Sequence, residues 1–157
     1  MRISEDSAQV RFPPPFVYAG FLLLGLALGR FLGKPGFGIE PVPASIAGAM
    51  IAIVGSAIML SAIGRFRKVS NNLEPWRPAT TVVKDGIYRV TRNPMYLGMA
   101  FIYAGLALVF DSAVTLALLP VVLIVIQTQV IVPEERYLAA KFGDDYRAYQ
   151  VSVRRWL

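Results

Sequence analysis

Two short polar clusters interrupt a chain that is otherwise largely apolar. One is "DGIYRVTRNPMY", residues 85–96, and the other is Pro133-Glu134-Glu135. Together they offer cations (Arg89, Arg92), carboxylates (Glu134, Glu135), aromatic faces (Tyr88, Tyr96), the amide of Asn93, and a glycine, Gly86, at which main chain can turn or approach a ligand closely. What they lack is as informative. The chain has no histidine and no cysteine, which removes the commonest general base, the commonest metal ligand, thiolate chemistry and disulfides. Any chemistry must therefore come from binding and alignment by arginine, carboxylate, tyrosine and amide groups, with no metal.

Each cluster also has a purely structural reading. Asn93 and Pro94 make a good helix start, with Asn at the N-cap and Pro at the first helical position. Arg89 and Arg92 suit the positively charged side of a membrane protein, and Tyr88 and Tyr96 its interfacial aromatics. Glu134 and Glu135 follow a proline in a first turn, where acids favour the helix dipole. Against that, two adjacent carboxylates at the mouth of a membrane bundle are unfavourable unless paired, and Arg89 and Arg92 lie on the same side.

The elements that must position these groups read as membrane helices. Of the 157 residues, 55% are hydrophobic, more than a soluble domain of this length can bury. Four apolar runs stand out: Phe16 to Leu32, Ala44 to Ile63, Pro94 to Phe110, and a fourth that follows the polar break Asp111-Ser112 and runs to about Val132. The expected fold is an all-α integral membrane protein, a single membrane domain over 1–157. It divides into a head (1–15), two helices (16–63), a long loop (64–93), a helical hairpin (94–132) and an amphipathic tail (133–157). The stretch before the first run carries acids and prolines and lacks the pattern of a signal peptide.

Sidedness follows from the basic residues. Of sixteen Lys and Arg, only Arg30 and Lys34 lie between the first two runs, and none lies between the third and fourth. The other fourteen occupy the head, the long loop and the tail, which predicts that all three are cytoplasmic. The net charge of +6 is thus explained by an anionic membrane surface and not by nucleic acid. Gly25, Gly29 and Gly33 in the first run, and Gly48 with Ala52 in the second, have the spacing that lets helix backbones approach in lipid. In the tail, Leu138, Phe142, Tyr146, Tyr149 and Val153 fall on one helical stripe, bent near Gly143-Asp144, where Asp144 could cap a second short helix. Trp156 and the arginines before it suit an interfacial anchor.

The order and separation of the clusters add a further indication. "GIYRVTRNPMYLG", a short apolar hairpin, then "EERYLAAKFGDDYRAYQVSVRRWL" resembles the isoprenylcysteine carboxyl methyltransferase and phospholipid methyltransferase group of membrane enzymes. The pattern is a Gly-x-Tyr-Arg turn, Arg-His/Asn-Pro-x-Tyr, a helical hairpin, Glu-Glu-x-x-Leu and a Phe-Gly-x-x-Tyr-x-x-Tyr tail. The resemblance covers about residues 64–157, including the loop "NNLEPWRPATTVVKDG". It implies an S-adenosylmethionine-dependent methyltransferase. Gly86, Tyr88, Arg92, Asn93, Pro94 and Tyr96 would line one side of the cofactor pocket and Glu134 and Glu135 the other, with Arg92 and Glu135 closest to the chemistry. Many members have histidine where this chain has Asn93, which can hydrogen-bond but cannot carry a proton charge.

Those residue types match the cofactor. A carboxylate suits its ammonium or ribose hydroxyls, an arginine its carboxylate, and a tyrosine its ring or sulfonium. The resemblance and the architecture imply a lipophilic or lipidated acceptor drawn from the bilayer, isoprenylcysteine carboxylate-like or phospholipid-like. A carboxylate acceptor would need no base; an amine or thiol would need one, and Glu135 or a tyrosinate would have to serve. An NADPH-dependent membrane reductase and a non-catalytic membrane scaffold are the competing expectations.

Overall fold

The computed structural model describes residues 8, 10, 12–68 and 77–157. Arg2 and Arg11 of the head, and residues 69–76 of the long loop, lie outside the described residues, and residues 64–68, expected in that loop, extend α2. Proline punctuates the helices. α1 (Pro14–Phe31) starts on a proline pair and α2 (Pro41–Lys68) on another proline, each using a residue that fits the first turn because its missing N–H would have no partner there. A single 3-10 turn, Gly86–Arg89, precedes α3 (Pro94–Val109). After Asp111-Ser112 the chain continues through α4 (Ala113–Ala117), α5 (Leu119–Ile126), a π-helical segment (Gln127–Ile131) and α6 (Val132–Phe142). It then turns at Gly143 into α7 (Asp144–Ser152). No strand occurs among the described residues.

This is an all-α membrane protein. Among the described residues, three helical paths are long and apolar enough to cross a bilayer: Pro14–Phe31, Pro41–Lys68 and Ala113–Phe142. The third apolar run forms the shorter helix Pro94–Val109, of 16 residues, or roughly 24 Å at 1.5 Å per residue. Large apolar side chains such as Leu23, Ile53 and Ile124 remain more than 60% exposed, as lipid-facing residues should.

The fourth run does not end at Val132. It continues as one helical path through Pro133 and both glutamates to Phe142, so the expected boundary between hairpin and tail is crossed by helix. An interior proline lacks an N–H and clashes with the carbonyl four residues back. Here the π-helical segment lies directly before it, and Val132 N–H reaches back five residues to the Gln127 carbonyl. The wider turn accommodates Pro133 and sets the rotation at which Glu134 and Glu135 project.

α2 and α3 form the most intimate pair. A Cβ on Gly48 would lie 2.6 Å from the Gly105 carbonyl, and one on Gly55 would lie 2.6 Å from the Gly98 carbonyl. The numbering rises along one helix as it falls along the other, so the helices are antiparallel with backbones in contact. Ala52, against Gly105, belongs to the same seam. Gly25 of α1 meets Thr115 of α4 equally closely, at 2.7 Å from its Cα, and Gly29 meets Ser112. Gly33 has nothing within 4 Å and instead takes a positive φ at the end of α1. At the α3–α4 turn, Ser112 Oγ accepts from Thr115 N–H and caps α4, while the Asp111 carboxylate accepts Phe37 N–H at 2.9 Å.

Candidate functional site

The 3-10 turn places Tyr88 in an apolar cluster with Ala62, Val83, Tyr146 and Tyr149, against the Phe66 ring at 5.5 Å. All five residues of the tail stripe, Leu138, Phe142, Tyr146, Tyr149 and Val153, join this cluster. The tail therefore packs over one end of the bundle, with Tyr149 donating its hydroxyl proton to the Tyr88 carbonyl at 2.7 Å. Lys84–Asp145 and Arg65–Asp85 (2.7 Å) tie the loop's rim to α7 and α2.

Gly86 adopts φ +61°, and a Cβ there would meet the Arg65 guanidinium at 2.6 Å. Both conditions call for glycine.

Beyond the turn the main chain is held by a neighbour distant in sequence. Arg92 N–H donates to the Arg154 carbonyl at 3.0 Å. Thr91 Oγ1 and Asn93 Nδ2 both donate to the Arg155 carbonyl, at 3.1 and 3.0 Å. Asn93 thus precedes the helix as expected, with Pro94 at its first position, but its side chain makes no capping bond. The Arg155 carbonyl competes for the amide and wins it. Asp144 likewise is not a cap: it is the first residue of α7 and pairs with Arg147 at 3.2 Å, while Gly143 occupies the cap position.

The carboxylates play different parts. Glu135 is buried and takes Arg155 as a fork, Nε to Oε1 at 3.1 Å and Nη2 to Oε2 at 2.7 Å. Arg92 Nη2 reaches the same Oε1 at 3.1 Å, and Arg92 Nη1 donates to the Gln150 carbonyl at 3.2 Å. Arg92 Nε is buried without a hydrogen-bond partner. Such a donor is unfavourable to bury unless something else accepts from it. Glu134 points differently, accepting the Tyr96 hydroxyl at 2.7 Å, and the Tyr96 carbonyl accepts from Tyr18 of α1 at 3.0 Å.

These groups line one recess, open at its mouth, with a cavity volume of about 120 Å³. Of the residues singled out from sequence, Tyr88, Arg92, Asn93, Pro94, Tyr96, Glu134 and Glu135 line it, and Gly86 lies outside that lining. Arg89, the alternative carboxylate partner, is exposed and also lies outside it. The sequence did not single out Arg155, or the Gln150 carbonyl. Nor did it single out Tyr137 in the lining, whose hydroxyl accepts Ala79 N–H of the loop at 3.1 Å. Trp156 and Arg155, expected as an interfacial anchor, also make contacts within the bundle. Trp156 Nε1 donates to Gln127 Oε1 at 2.9 Å beside the core of α1, α3 and α5, and Arg155 serves Glu135.

Burial holds the tyrosine hydroxyls of the tail cluster neutral. It pushes Tyr88 well above the usual phenol range, with smaller contributions from Tyr149 and Glu134. Tyr146 moves the same way, again chiefly by burial. Tyr149 is pushed up by burial to about 12, against the opposing effect of Arg92. None can supply a tyrosinate near neutral pH, and Glu135 has both oxygens engaged by arginines. Of the two proton acceptors expected from sequence, neither is available in this arrangement.

A family model described as phospholipid methyltransferase matches residues 43–145, most of the chain and both polar clusters. The chain belongs to the phospholipid methyltransferase family. It is 40% identical over 73 residues to a Schizosaccharomyces pombe protein named protein-S-isoprenylcysteine O-methyltransferase, a match covering 46% of this chain and 30% of that protein. It is 42% identical over 64 residues to an uncharacterized Haemophilus influenzae protein, covering 40% of this chain and all of that one. The chain thus spans about a third of the length of the named relative. No solved structure matches.

The donor set fits a ligand bearing a carboxylate, an ammonium and hydroxyl groups. Arg92, whose buried Nε–H has no partner, and Glu134 both line this recess, as do Tyr88, Tyr96 and Tyr137.

Proposed function

We propose that the chain catalyses methyl transfer from S-adenosylmethionine to a lipophilic acceptor dissolved in the membrane, isoprenylcysteine carboxylate-like or phospholipid-like. The observation that carries this reading is the buried Arg92 Nε–H without a partner, in a side chain that lines the same recess as Glu134, in a chain of a membrane methyltransferase family. The cofactor, when bound, supplies an already activated methyl group. The protein's task is then to bind, orient and exclude water.

Arg92 would take the cofactor's carboxylate through its free N–H. Glu134 would face its ammonium or ribose hydroxyls, oriented by Tyr96. Tyr88 would offer an aromatic face. Glu135 binds through Arg92, which it holds in place. Gly86 shapes the turn that presents Tyr88, and Asn93 and Pro94 start α3 at the angle that brings Tyr96 to Glu134.

Proton accounting supports one acceptor class, with Glu134 reserved for the cofactor. A carboxylate arrives deprotonated and needs no base, which agrees with neutral tyrosines and a Glu135 committed to two guanidiniums. The S. pombe relative carries the name of an enzyme methylating an isoprenylcysteine, and that chemistry favours the isoprenylcysteine-like acceptor over an amine headgroup. The end of the bundle that bears the recess carries the basic loop and tail, so it would face the cytoplasm, with the cofactor entering from water and the acceptor from lipid.

Detergent-purified protein given S-adenosylmethionine labelled in its methyl group tests this directly. A farnesylated cysteine with a free carboxylate should gain a base-labile methyl ester. Label appearing instead in the headgroup amine of phosphatidylethanolamine would replace the carboxylate assignment. Label in neither acceptor, from folded protein in lipid, would refute the reading.

A further inference from the structure

The stretch after α7 is held into the site at four points. Arg92 N–H, Thr91 Oγ1 and Asn93 Nδ2 bind the carbonyls of Arg154 and Arg155, and Trp156 Nε1 binds Gln127. Every one of these contacts uses main chain of this stretch or Trp156. None uses the Arg155 side chain, which is therefore free to act elsewhere. It forks onto both oxygens of Glu135, at 3.1 and 2.7 Å.

That fork changes what Arg92 can do. A lone arginine beside a buried carboxylate settles into a two-bond pair with it. Here Arg155 already occupies both oxygens, so Arg92 gives Glu135 a single nitrogen, Nη2, and gives its second, Nη1, to the Gln150 carbonyl. Its Nε–H is left buried and unshared, in a side chain that lines the recess. The cluster holds two guanidiniums and one Glu135 carboxylate, and Glu134 is turned toward Tyr96. One positive charge and one buried N–H are left over, which together suit an anion.

We propose that Arg155 is a positioning residue: by engaging both oxygens of Glu135 it keeps Arg92 turned so that Nε–H is presented to a carboxylate of the bound ligand. The proposal rests on the cofactor reading above and names a residue and a task that reading does not need. Glu135 in turn draws the Arg155 guanidinium more firmly into its charged form.

The test compares two ligands that differ only in that carboxylate: S-adenosylhomocysteine and its decarboxylated analogue, S-adenosyl-3-thiopropylamine. Binding of each is measured by calorimetry to the full chain and to Arg155→Ala and Arg155→Lys, with thermal unfolding alongside. Wild type should prefer the carboxylate-bearing ligand by about tenfold or more, the scale of one charge-assisted hydrogen bond. Arg155→Ala should collapse that preference toward one while leaving the analogue's affinity within about threefold. Arg155→Lys, which keeps the charge but not the fork, should recover part of it. If Arg155→Ala does not fold, the Lys variant carries the comparison, with a preference below that of wild type expected.

Equal losses for both ligands, or an unchanged preference in either variant, would overturn the proposal and leave Arg155 a structural residue. A wild-type protein that binds both ligands equally would overturn it as well, while sparing the cofactor reading. Binding of neither ligand by wild type would overturn both.

Discussion

Gly98 lies two residues beyond Tyr96 in α3, at the seam with α2, and an alanine there should damage the site and the fold by separable amounts. A Cβ would stand 2.6 Å from the Gly55 carbonyl and 2.9 Å from Met59 Cβ, against the 3.4 Å at which ordinary contact begins. Backbone carbonyls cannot rotate away, so α3 must move off α2 by about 0.8 Å locally. Overpacking of this kind costs roughly 1–3 kcal/mol. The better helix propensity of alanine offsets roughly 0.8–1 kcal/mol of it. A net destabilisation of up to about 2 kcal/mol is expected, and about 1–3 kcal/mol relative to an alanine placed where there is room. Gly105→Ala, two turns further from the site, meets the Gly48 carbonyl at 2.5 Å and should cost the same. Gly64→Ala, with nothing within 4 Å, should be neutral or stabilising.

The two seam variants should part company in binding. Moving α3 at Gly98 shifts Tyr96 against Glu134, and displacements near 1 Å can cost as much as 100-fold in a positioned site. Gly98→Ala should therefore weaken S-adenosylhomocysteine binding tenfold or more, and Gly105→Ala less than threefold. Unfolding in graded denaturing detergent and calorimetry on the same preparations measure both. A Gly98→Ala protein as stable as Gly64→Ala would refute the close α2–α3 contact. Equal binding by the Gly98 and Gly105 variants would refute the claim that α3 aims the site.

Glu135→Gln should cost about 3 kcal/mol. It strands the guanidiniums of Arg92 (10% exposed) and Arg155 (36% exposed), and removing one partner of a buried pair costs roughly 3–5 kcal/mol, here at the low end because Arg155 is partly solvated. Graded unfolding reads this, and a change under 1 kcal/mol would contradict the cluster's burial. Tyr88, Tyr146 and Tyr149 have raised pKa values in the fold, Tyr149 to about 12. Their stabilising effect is complete below the ordinary phenol value of 10.0 and is lost as pH rises through 10 toward 12. Tyr146→Phe should make that alkaline decline in melting temperature shallower, and an identical decline would contradict the assignment. The absence of cysteine allows single-cysteine labelling to test sidedness. In intact cells Val151→Cys should resist a membrane-impermeant maleimide and Phe37→Cys should react, and the opposite result would invert the topology.

The helices were legible because hydropathy over twenty residues averages away local detail. The two polar clusters were legible as one site because each contains charges that a membrane bundle tolerates only when paired. Gly48, Gly25 and Ala52 were legible as packing residues because they belong to four-residue spacings, whereas Gly55, Gly98 and Gly105 were not, since 48/55 and 98/105 stand seven residues apart. Asn93 was misread as a capping side chain because a cap is a local competition, and the Arg155 carbonyl that wins it comes from 62 residues away. Arg155 and Trp156 look like a lipid anchor in sequence for the same reason: a charge beside an aromatic at a membrane surface carries no sign of which carboxylate it will meet. The π-helical segment before Pro133 had no compositional mark.

The most direct test of the account is calorimetric titration of S-adenosylhomocysteine into the wild-type protein and Arg92→Ala, with NADPH as the control ligand and melting curves to verify folding. Saturable binding to wild type, lost in a folded Arg92→Ala protein, with no response to NADPH, is the result predicted. Well-folded wild-type protein that ignores S-adenosylhomocysteine, or binds NADPH in its place, would contradict the assignment of this recess to a methyl donor.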